Sequence, residues 1–138
     1  MNSINPMNNH LSPEVQALKS KGVFKRLANA ARYSALGLRA AWVHEAAFRT
    51  EAVIFLAMVA AVCVLPLSMG QRALLLGMGV LTLVVELLNS AIEVVVDLVS
   101  PDIHPLAGRA KDMCSAAVML CVLSTGAVWA VVLFTVLV

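Results

Sequence analysis

Apolar residues dominate three long stretches of this chain. Residues 52–69 contain no charged residue, residues 73–99 are apolar apart from a few spaced polar positions, and residues 113–138 again contain no charge. About 20 consecutive apolar residues are needed to cross the hydrocarbon core of a bilayer as a helix. The pattern therefore predicts three transmembrane helices, with Ser100 and Pro101 ending the second.

A different pattern precedes the first span. Residues 23–51 mix apolar side chains with basic ones at helical spacing, which predicts an amphipathic helix at the membrane surface. Residues 1–22 form a polar extension, with a helix start expected at Ser12 and Pro13 and without the apolar core of a secretory signal. The prediction is an all-α integral membrane protein with a single domain over residues 23–138 and no internal repeat.

Composition and charge support this interpretation. Of the 138 residues, 61% are hydrophobic and 13% charged, against about half and a quarter in soluble domains. Seven of the ten Lys and Arg residues precede residue 52, two lie in the loop at residues 100–112, and one lies between the first two spans. The positive-inside rule then places the N-terminus and this loop in the cytoplasm and the C-terminus outside. Because the basic residues do not form a run, no nucleic-acid partner is expected.

Polar residues on the second span carry the strongest functional signal. A carboxylate at the centre of a span costs roughly 2.5 to 3.5 kcal/mol on insertion scales, so Glu86 and Glu93 need a partner, water or a metal. At helical spacing, Glu86, Asn89, Glu93 and Asp97 fall within an arc of about 80°. This face suits chemistry that joins a water-soluble reagent to a lipid hydroxyl; it also suits a proton path or a structural polar seam.

The remaining residues do not choose among these alternatives. Cys63, Cys114 and Cys121 lie in apolar segments without CxxC pairing, which favours small buried side chains over a disulfide or zinc site. Glu45 and Glu51 are explained by a solvated face beside arginines, and no GxxxxGK[ST] phosphate loop occurs. The residues alone indicate an intramembrane carboxylate protein and do not name its reaction.

Three stretches resemble the prokaryotic diacylglycerol kinase family: GLRAAWVHEAAFRTE (37–51), ELLNSAIEVVVD (86–97) and GRAKDMCSAAV (108–118). The resemblance implies a surface helix plus three transmembrane helices, assembled as a homotrimer with active sites shared between subunits. It also implies an ATP-dependent lipid kinase of the bacterial inner membrane that converts 1,2-diacylglycerol to phosphatidic acid. Since the family also contains undecaprenol kinases, undecaprenol is an alternative substrate. A protein of a different functional class, a proton or cation conduit that uses the intramembrane carboxylates, is the other alternative.

The resemblance further implies roles for individual residues. Glu86 resembles the general base, Asn89 a residue that supports the carboxylate cluster, and Glu45 and Glu93 resemble ligands of Mg²⁺. The implied nucleotide-binding residues are Arg26, Tyr33, Glu45, Glu93, His104, Lys111 and Asp112. The implied lipid-binding residues are Ala31, Glu51, Glu86 and Ser115. Departures from the family pattern, such as His44 and Cys114, remove none of these acids and leave the pair Lys111 and Asp112 in place.

Overall fold

The computed structural model describes residues 13–100, 102 and 104–138, and the side chains among them from Gly22 onwards except that of Leu137. The described residues form helices without any strand, which confirms the all-α prediction. The predicted cap at Ser12 lies outside the described residues. The four helices are α1 (Pro13–His44), α2 (Ala46–Val64), α3 (Met69–Val99) and α4 (Pro105–Leu137).

Three of these helices are long and apolar enough to cross a membrane, as the sequence pattern predicts: Ala46–Val64, Met69–Val99 and Pro105–Val136. Their outward faces carry exposed large apolar side chains, among them Leu56 and Leu123, which suits contact with lipid. α2 begins six residues before the charge-free run at 52, and α4 begins eight residues before the run at 113. The residues that precede each run, which include charged ones, are therefore already part of the helix. The segment expected to be one surface helix over 23–51 is divided, with α1 ending at His44.

The chain separates into two compact units, one containing α1 up to Arg39 and the other containing residues 40–138. Each unit is described by itself. In the first unit, α1 is a continuous helix from Pro13. Its surface location, like the trimer, stays a prediction. The second unit contains the end of α1 and the three spans, and it carries the apolar core.

Arginine side chains close both ends of α2. At the α1–α2 junction, the Arg49 guanidinium donates hydrogen bonds to the carbonyls of Trp42 and Val43 at 2.9 and 3.2 Å, and so satisfies carbonyls at the end of α1. At the other end, Arg72 donates to the carbonyls of Leu65 and Leu67 at 3.2 and 3.1 Å. The two arginines therefore stabilise the turns that precede and follow the first span.

Helix α3 starts with a capping box and packs against both α2 and α4. The Ser68 hydroxyl accepts from the Gln71 amide, while the Gln71 side chain accepts from the Ser68 amide. Near this start, Leu75 is fully buried in the apolar core. The other buried members of the core are Val62, Leu67 and Val132.

The three spans run antiparallel to their neighbours at close range. Thr82 on α3 meets Thr125 on α4, and further along α3 Asp97 meets Lys111. Against α2, the Phe55 ring lies so close to Gly79 that a Cβ there would be 2.6 Å from a ring carbon. A glycine is needed at this crossing because any side chain would displace the ring.

Candidate active site

Glu86 is the most deeply buried ionisable side chain of the described residues, with 3% of its surface exposed. It lies on the face of α3 that packs against the other spans, in line with the buried residues Thr82 and Ser90. Its carboxyl group interacts electrostatically with those of Glu93, Glu45 and Glu51. Acids from the α1–α2 junction, from α2 and from α3 thus gather around one buried carboxylate.

Glu45 owes its position to the break between α1 and α2. Its backbone is extended, with φ −105° and ψ 110°, and it is the only non-helical residue between these helices. Although it occupies the N-cap position of α2, its side chain makes no capping hydrogen bond, and α1 is closed instead by Arg49. The half-buried Glu45 carboxylate therefore retains its oxygens for another partner.

Asn89 and Glu93 form a hydrogen-bonded pair one turn apart on α3. The Asn89 amide nitrogen donates to a Glu93 carboxylate oxygen at 3.2 Å, which orients that carboxylate. The Asn89 carbonyl oxygen and the Ser90 hydroxyl are buried without a hydrogen-bond partner among the described residues. A buried polar atom without a partner costs about 1–3 kcal/mol, so these two atoms mark a place where a bound ligand or water is expected.

Lys111 and His104 line a polar cleft of about 260 Å³ where α3 ends and α4 begins. The Lys111 ammonium forms a salt bridge with Asp97 at 2.5 Å and also interacts electrostatically with Glu93. His104 is the N-cap of α4, with its Nδ1 accepting from the Leu106 amide at 3.2 Å. The cleft is also lined by Val96, Ser100, Asp102, Ala107 and Gly108.

A second cavity, also about 260 Å³, lies between α2, α3 and α4 and is almost entirely apolar. Glu51 contributes one of its few polar groups, and the buried Oε2 atom of Glu51 has no hydrogen-bond partner among the described residues. The same holds for the indole nitrogen of Trp129, which also lines the cavity. The cavity can take an apolar chain whose polar end lies beside Glu51, which in turn interacts with Glu86.

Several residues predicted from the sequence lie elsewhere. Arg26, Ala31 and Tyr33 belong to the first compact unit and are exposed. Arg26 and Tyr33 are seven residues apart and so share one face of α1. Asp112 and Ser115 are exposed on α4 and are not among the residues that line either cavity. Their roles stay predictions.

Other residues were not predicted to be part of a site. The sequence places Asp97 on the polar face of α3 and gives it a role only as a relay in the conduit alternative, whereas the structure pairs it with Lys111. Ser90 and Trp129 carry unpartnered buried polar atoms but look like ordinary helix residues in the sequence. The only signal for Ser90 is its spacing, since it lies four residues after Glu86 on the same helical face.

The carboxylates are also the residues that could hold a metal ion. Among the described residues, no group of three or more His, Cys, Asp or Glu side chains is arranged to hold one. Mg²⁺ in kinases is commonly bound by one or two carboxylates together with substrate phosphates and water. Glu45, which makes no capping bond, and Glu93, oriented by Asn89, fit this requirement as hard oxygen donors.

Comparison with known proteins points to one family. The family model described as prokaryotic diacylglycerol kinase matches residues 32–133, which include Glu45, Glu86 and Lys111. The diacylglycerol kinase of Escherichia coli K12 is 46% identical over 112 residues, covering 81% of this chain and 92% of the relative.

Two further relatives are less similar and are also matched over most of their length. The diacylglycerol kinase of Pseudomonas aeruginosa is 43% identical over 115 residues, covering 83% of this chain and 94% of the relative. That of Helicobacter pylori strain 26695 is 40% identical over 111 residues, covering 80% and 86%. With its three membrane-spanning helices and these bacterial relatives, the chain belongs to the prokaryotic diacylglycerol kinase family.

Proposed function

We propose that this protein is an ATP-dependent lipid kinase that transfers the γ-phosphate of MgATP to 1,2-diacylglycerol and releases ADP and phosphatidic acid. The observation that carries this proposal is the buried Glu86, which interacts with Glu51 of the apolar cavity on one side and with Glu93 of the Asn89–Glu93 pair on the other. A lipid hydroxyl and a nucleotide phosphate can approach the same carboxylate from these two sides.

Glu86 acts as the general base. It accepts the proton of the lipid hydroxyl as that oxygen bonds to the γ-phosphorus, and the bond between the γ-phosphorus and the bridging oxygen of ADP breaks. Asn89 supports this arrangement by holding the neighbouring Glu93 carboxylate. The reaction needs no covalent enzyme intermediate, so positioning and charge neutralisation supply most of the catalysis.

Glu45 and Glu93 would hold the Mg²⁺ that accompanies ATP. When bound, the ion neutralises charge on the phosphate oxygens, which carboxylates alone would repel. Lys111 provides a further positive charge at the phosphates, since it lines the polar cleft and interacts with Glu93. The other nucleotide contacts are assigned to Arg26, Tyr33, His104 and Asp112.

Glu51, Ala31 and Ser115 contact the lipid. The support for Glu51 is its place in the apolar cavity next to Glu86, where its unpartnered oxygen can accept from a glycerol hydroxyl. The cavity wall is formed by side chains such as Phe55 and Met58, which suit acyl chains. Ala31 and Ser115 are assigned from the family resemblance.

The protein works as a homotrimer in the bacterial inner membrane, with its N-terminus and residues 100–112 in the cytoplasm. The half-buried Asn89 and Glu93 are only partly covered by one chain, and a neighbouring chain would complete the cover. Glu86 itself is already enclosed within a single chain. Mass measurement of the detergent-solubilised protein by light scattering tests the trimer.

The function is tested with purified protein in mixed micelles containing MgATP and one lipid alcohol at a time. We expect ³²P transfer from [γ-³²P]ATP to 1,2-diacylglycerol, with lipid-dependent release of ADP. If undecaprenol is phosphorylated faster than 1,2-diacylglycerol at equal surface concentration, undecaprenol is the substrate and the assignment of diacylglycerol is wrong. Proton or cation flux into proteoliposomes without any lipid phosphorylation would overturn the kinase proposal in favour of a conduit.

A further inference from the structure

Two threonine hydroxyls join α3 to α4 within the membrane-spanning part of the molecule. The Oγ1 atoms of Thr82 and Thr125 are 2.9 Å apart, and the residues are 8% and 7% exposed. The Thr82 hydroxyl also bonds the Met78 carbonyl at 3.0 Å and lies 3.6 Å from the Cys121 sulfur. The Thr125 hydroxyl reaches the same Met78 carbonyl at 3.4 Å. Threonine side chains commonly form hydrogen bonds of this kind between packed spans.

This threonine pair lies one helical turn before the proposed base, Glu86, on α3. Thr82 precedes Glu86 by four residues, so the two side chains share a helical face about 6 Å apart along the axis. On the other side of Glu86, the salt bridge between Asp97 and Lys111 joins the same two helices. The register of α3 against α4 is therefore fixed at two points, with Glu86 between them.

The same threonines form part of the apolar cavity that contains Glu51. A shift of α3 along α4 would change the cavity wall and the position of Glu86 relative to the cavity at the same time. We propose that Thr82 and Thr125 are positioning residues, which fix the register of the two helices and so hold the Glu86 carboxylate against the lipid hydroxyl. This inference rests on the proposed kinase function.

Valine substitutions separate positioning from packing, because valine has nearly the shape of threonine but lacks the hydroxyl. Thr125→Val removes the hydroxyl through which α4 reaches both the Thr82 hydroxyl and the Met78 carbonyl of α3. Thr82→Val removes the bond between the threonines but leaves Thr125 able to donate to Met78. Since neither variant leaves a buried hydroxyl without an acceptor, a loss of activity reports on the link between the helices.

The experiment compares kcat and the KM values for MgATP and diacylglycerol in wild type, Thr82→Val, Thr125→Val and Thr82→Ser. We expect kcat to fall about threefold to tenfold in Thr82→Val and further in Thr125→Val, because small misplacements of a catalytic group are costly. The KM for MgATP should stay within about twofold, since the Asp97–Lys111 link on the nucleotide side is intact. Thr82→Ser keeps the hydroxyl and should restore most of the activity.

Thr135→Val is the matched control, because among the described residues the Thr135 hydroxyl bonds only the carbonyl of Val132 in its own helix. It should leave kcat within about twofold of wild type. Wild-type kcat in both Thr82→Val and Thr125→Val would overturn the inference, as would a Thr82→Ser variant no better than Thr82→Val. If Thr82→Val does not fold, Thr125→Val with a Thr125→Ser rescue decides the matter. A wild-type protein without lipid kinase activity would instead refute the proposed function.

Discussion

Glu86 illustrates how much one buried carboxylate can determine in a membrane protein. It is enclosed within the chain, and the acids with which it interacts are Glu93, Glu45 and Glu51. So many carboxylates at one place repel one another unless protons, a cation or a cationic side chain are present. A structural seam between helices does not need this arrangement, whereas a site for MgATP and a hydroxyl does.

The base assignment predicts a separation of chemistry from binding. In Glu86→Gln, kcat should fall at least about a hundredfold, because an amide of similar shape cannot accept the lipid proton. The affinity for MgATP should remain close to wild type, and Glu86→Asp should keep part of the activity. The measurement pairs ³²P transfer with equilibrium nucleotide binding. A wild-type rate in Glu86→Gln would show that another group takes the proton.

The metal assignment predicts a changed requirement for Mg²⁺ in Glu93→Gln. The Mg²⁺ concentration for half-maximal activity should rise at least about tenfold, because a neutral amide oxygen replaces a charged ligand. Titration of activity with Mg²⁺ at fixed ATP measures this shift, and Asp102→Asn, which removes a negative charge from the Lys111 cleft without removing a proposed Mg²⁺ ligand, should shift it less. An unchanged Mg²⁺ titration for Glu93→Gln would refute its role as a ligand.

Lys111 is expected to act on the nucleotide side alone. Lys111→Ala should raise the KM for MgATP about tenfold or more while changing the KM for diacylglycerol little, because a charge-assisted bond to phosphate is lost. Lys111→Arg should rescue only in part, since a planar fork replaces a compact ammonium. Arg109→Ala, an exposed cation on the same helix, is the matched control. Equal increases in both KM values would argue for a general loss of structure.

At the scale of helices, Arg49 and Arg72 play the same structural role at opposite ends of α2, since each donates hydrogen bonds to main-chain carbonyls of the adjoining turn. Only Arg49 lies beside the break that places Glu45 near Glu86. Each arginine makes two hydrogen bonds to main-chain carbonyls, so Arg49→Met and Arg72→Met should each cost about 1–3 kcal/mol of stability. Thermal unfolding in detergent should show similar losses for the two variants.

Activity should distinguish the same two variants. Per folded molecule, Arg49→Met should lose Mg²⁺-dependent activity, because the junction no longer fixes Glu45, while Arg72→Met should keep it. Assays well below the unfolding temperature of either variant make the comparison. Equal activity in both would show that the junction holds Glu45 without the help of Arg49.

The spans could be predicted from the sequence because each is marked by a long stretch with few charges, and the polar face of α3 follows from helical spacing alone. The break at Glu45 could not, since it depends on Arg49 reaching back seven residues to the carbonyl of Trp42. The meeting of Thr82 with Thr125, 43 residues apart, depends on how α3 and α4 pack. For Arg26, Ala31 and Tyr33, the family resemblance is the only source of a role.

For the whole molecule, the polar and apolar parts are separated along the bundle. The apolar core around Leu75 lies near the α2–α3 turn. The acids and Lys111 lie away from this core, towards the end of the bundle where α3 ends and α4 begins. A water-soluble nucleotide would thus meet the bundle at the end where α3 meets α4, while a lipid would enter from the side. This separation requires that the α3–α4 loop face the compartment that contains ATP.

That requirement gives a prediction for membrane topology. The α3–α4 loop is followed by Arg109 and Lys111, whereas the α2–α3 turn is followed only by Arg72, whose guanidinium is bonded to the carbonyls of Leu65 and Leu67. The positive-inside rule therefore places Asp102 in the cytoplasm and Met69 in the periplasm. Both residues are exposed and so suit replacement by cysteine.

The test uses a protein in which the three native cysteines, Cys63, Cys114 and Cys121, are replaced by alanine and which retains kinase activity. A membrane-impermeant maleimide added to spheroplasts should label Met69→Cys at once. It should label Asp102→Cys only after the membrane is opened, because the reagent cannot cross the bilayer and the loop faces the interior. Since ATP is supplied from the cytoplasm, a loop on the outside would leave the Lys111 cleft without its nucleotide. The opposite labelling pattern in an active protein would therefore contradict both the topology and the assignment of this cleft to ATP.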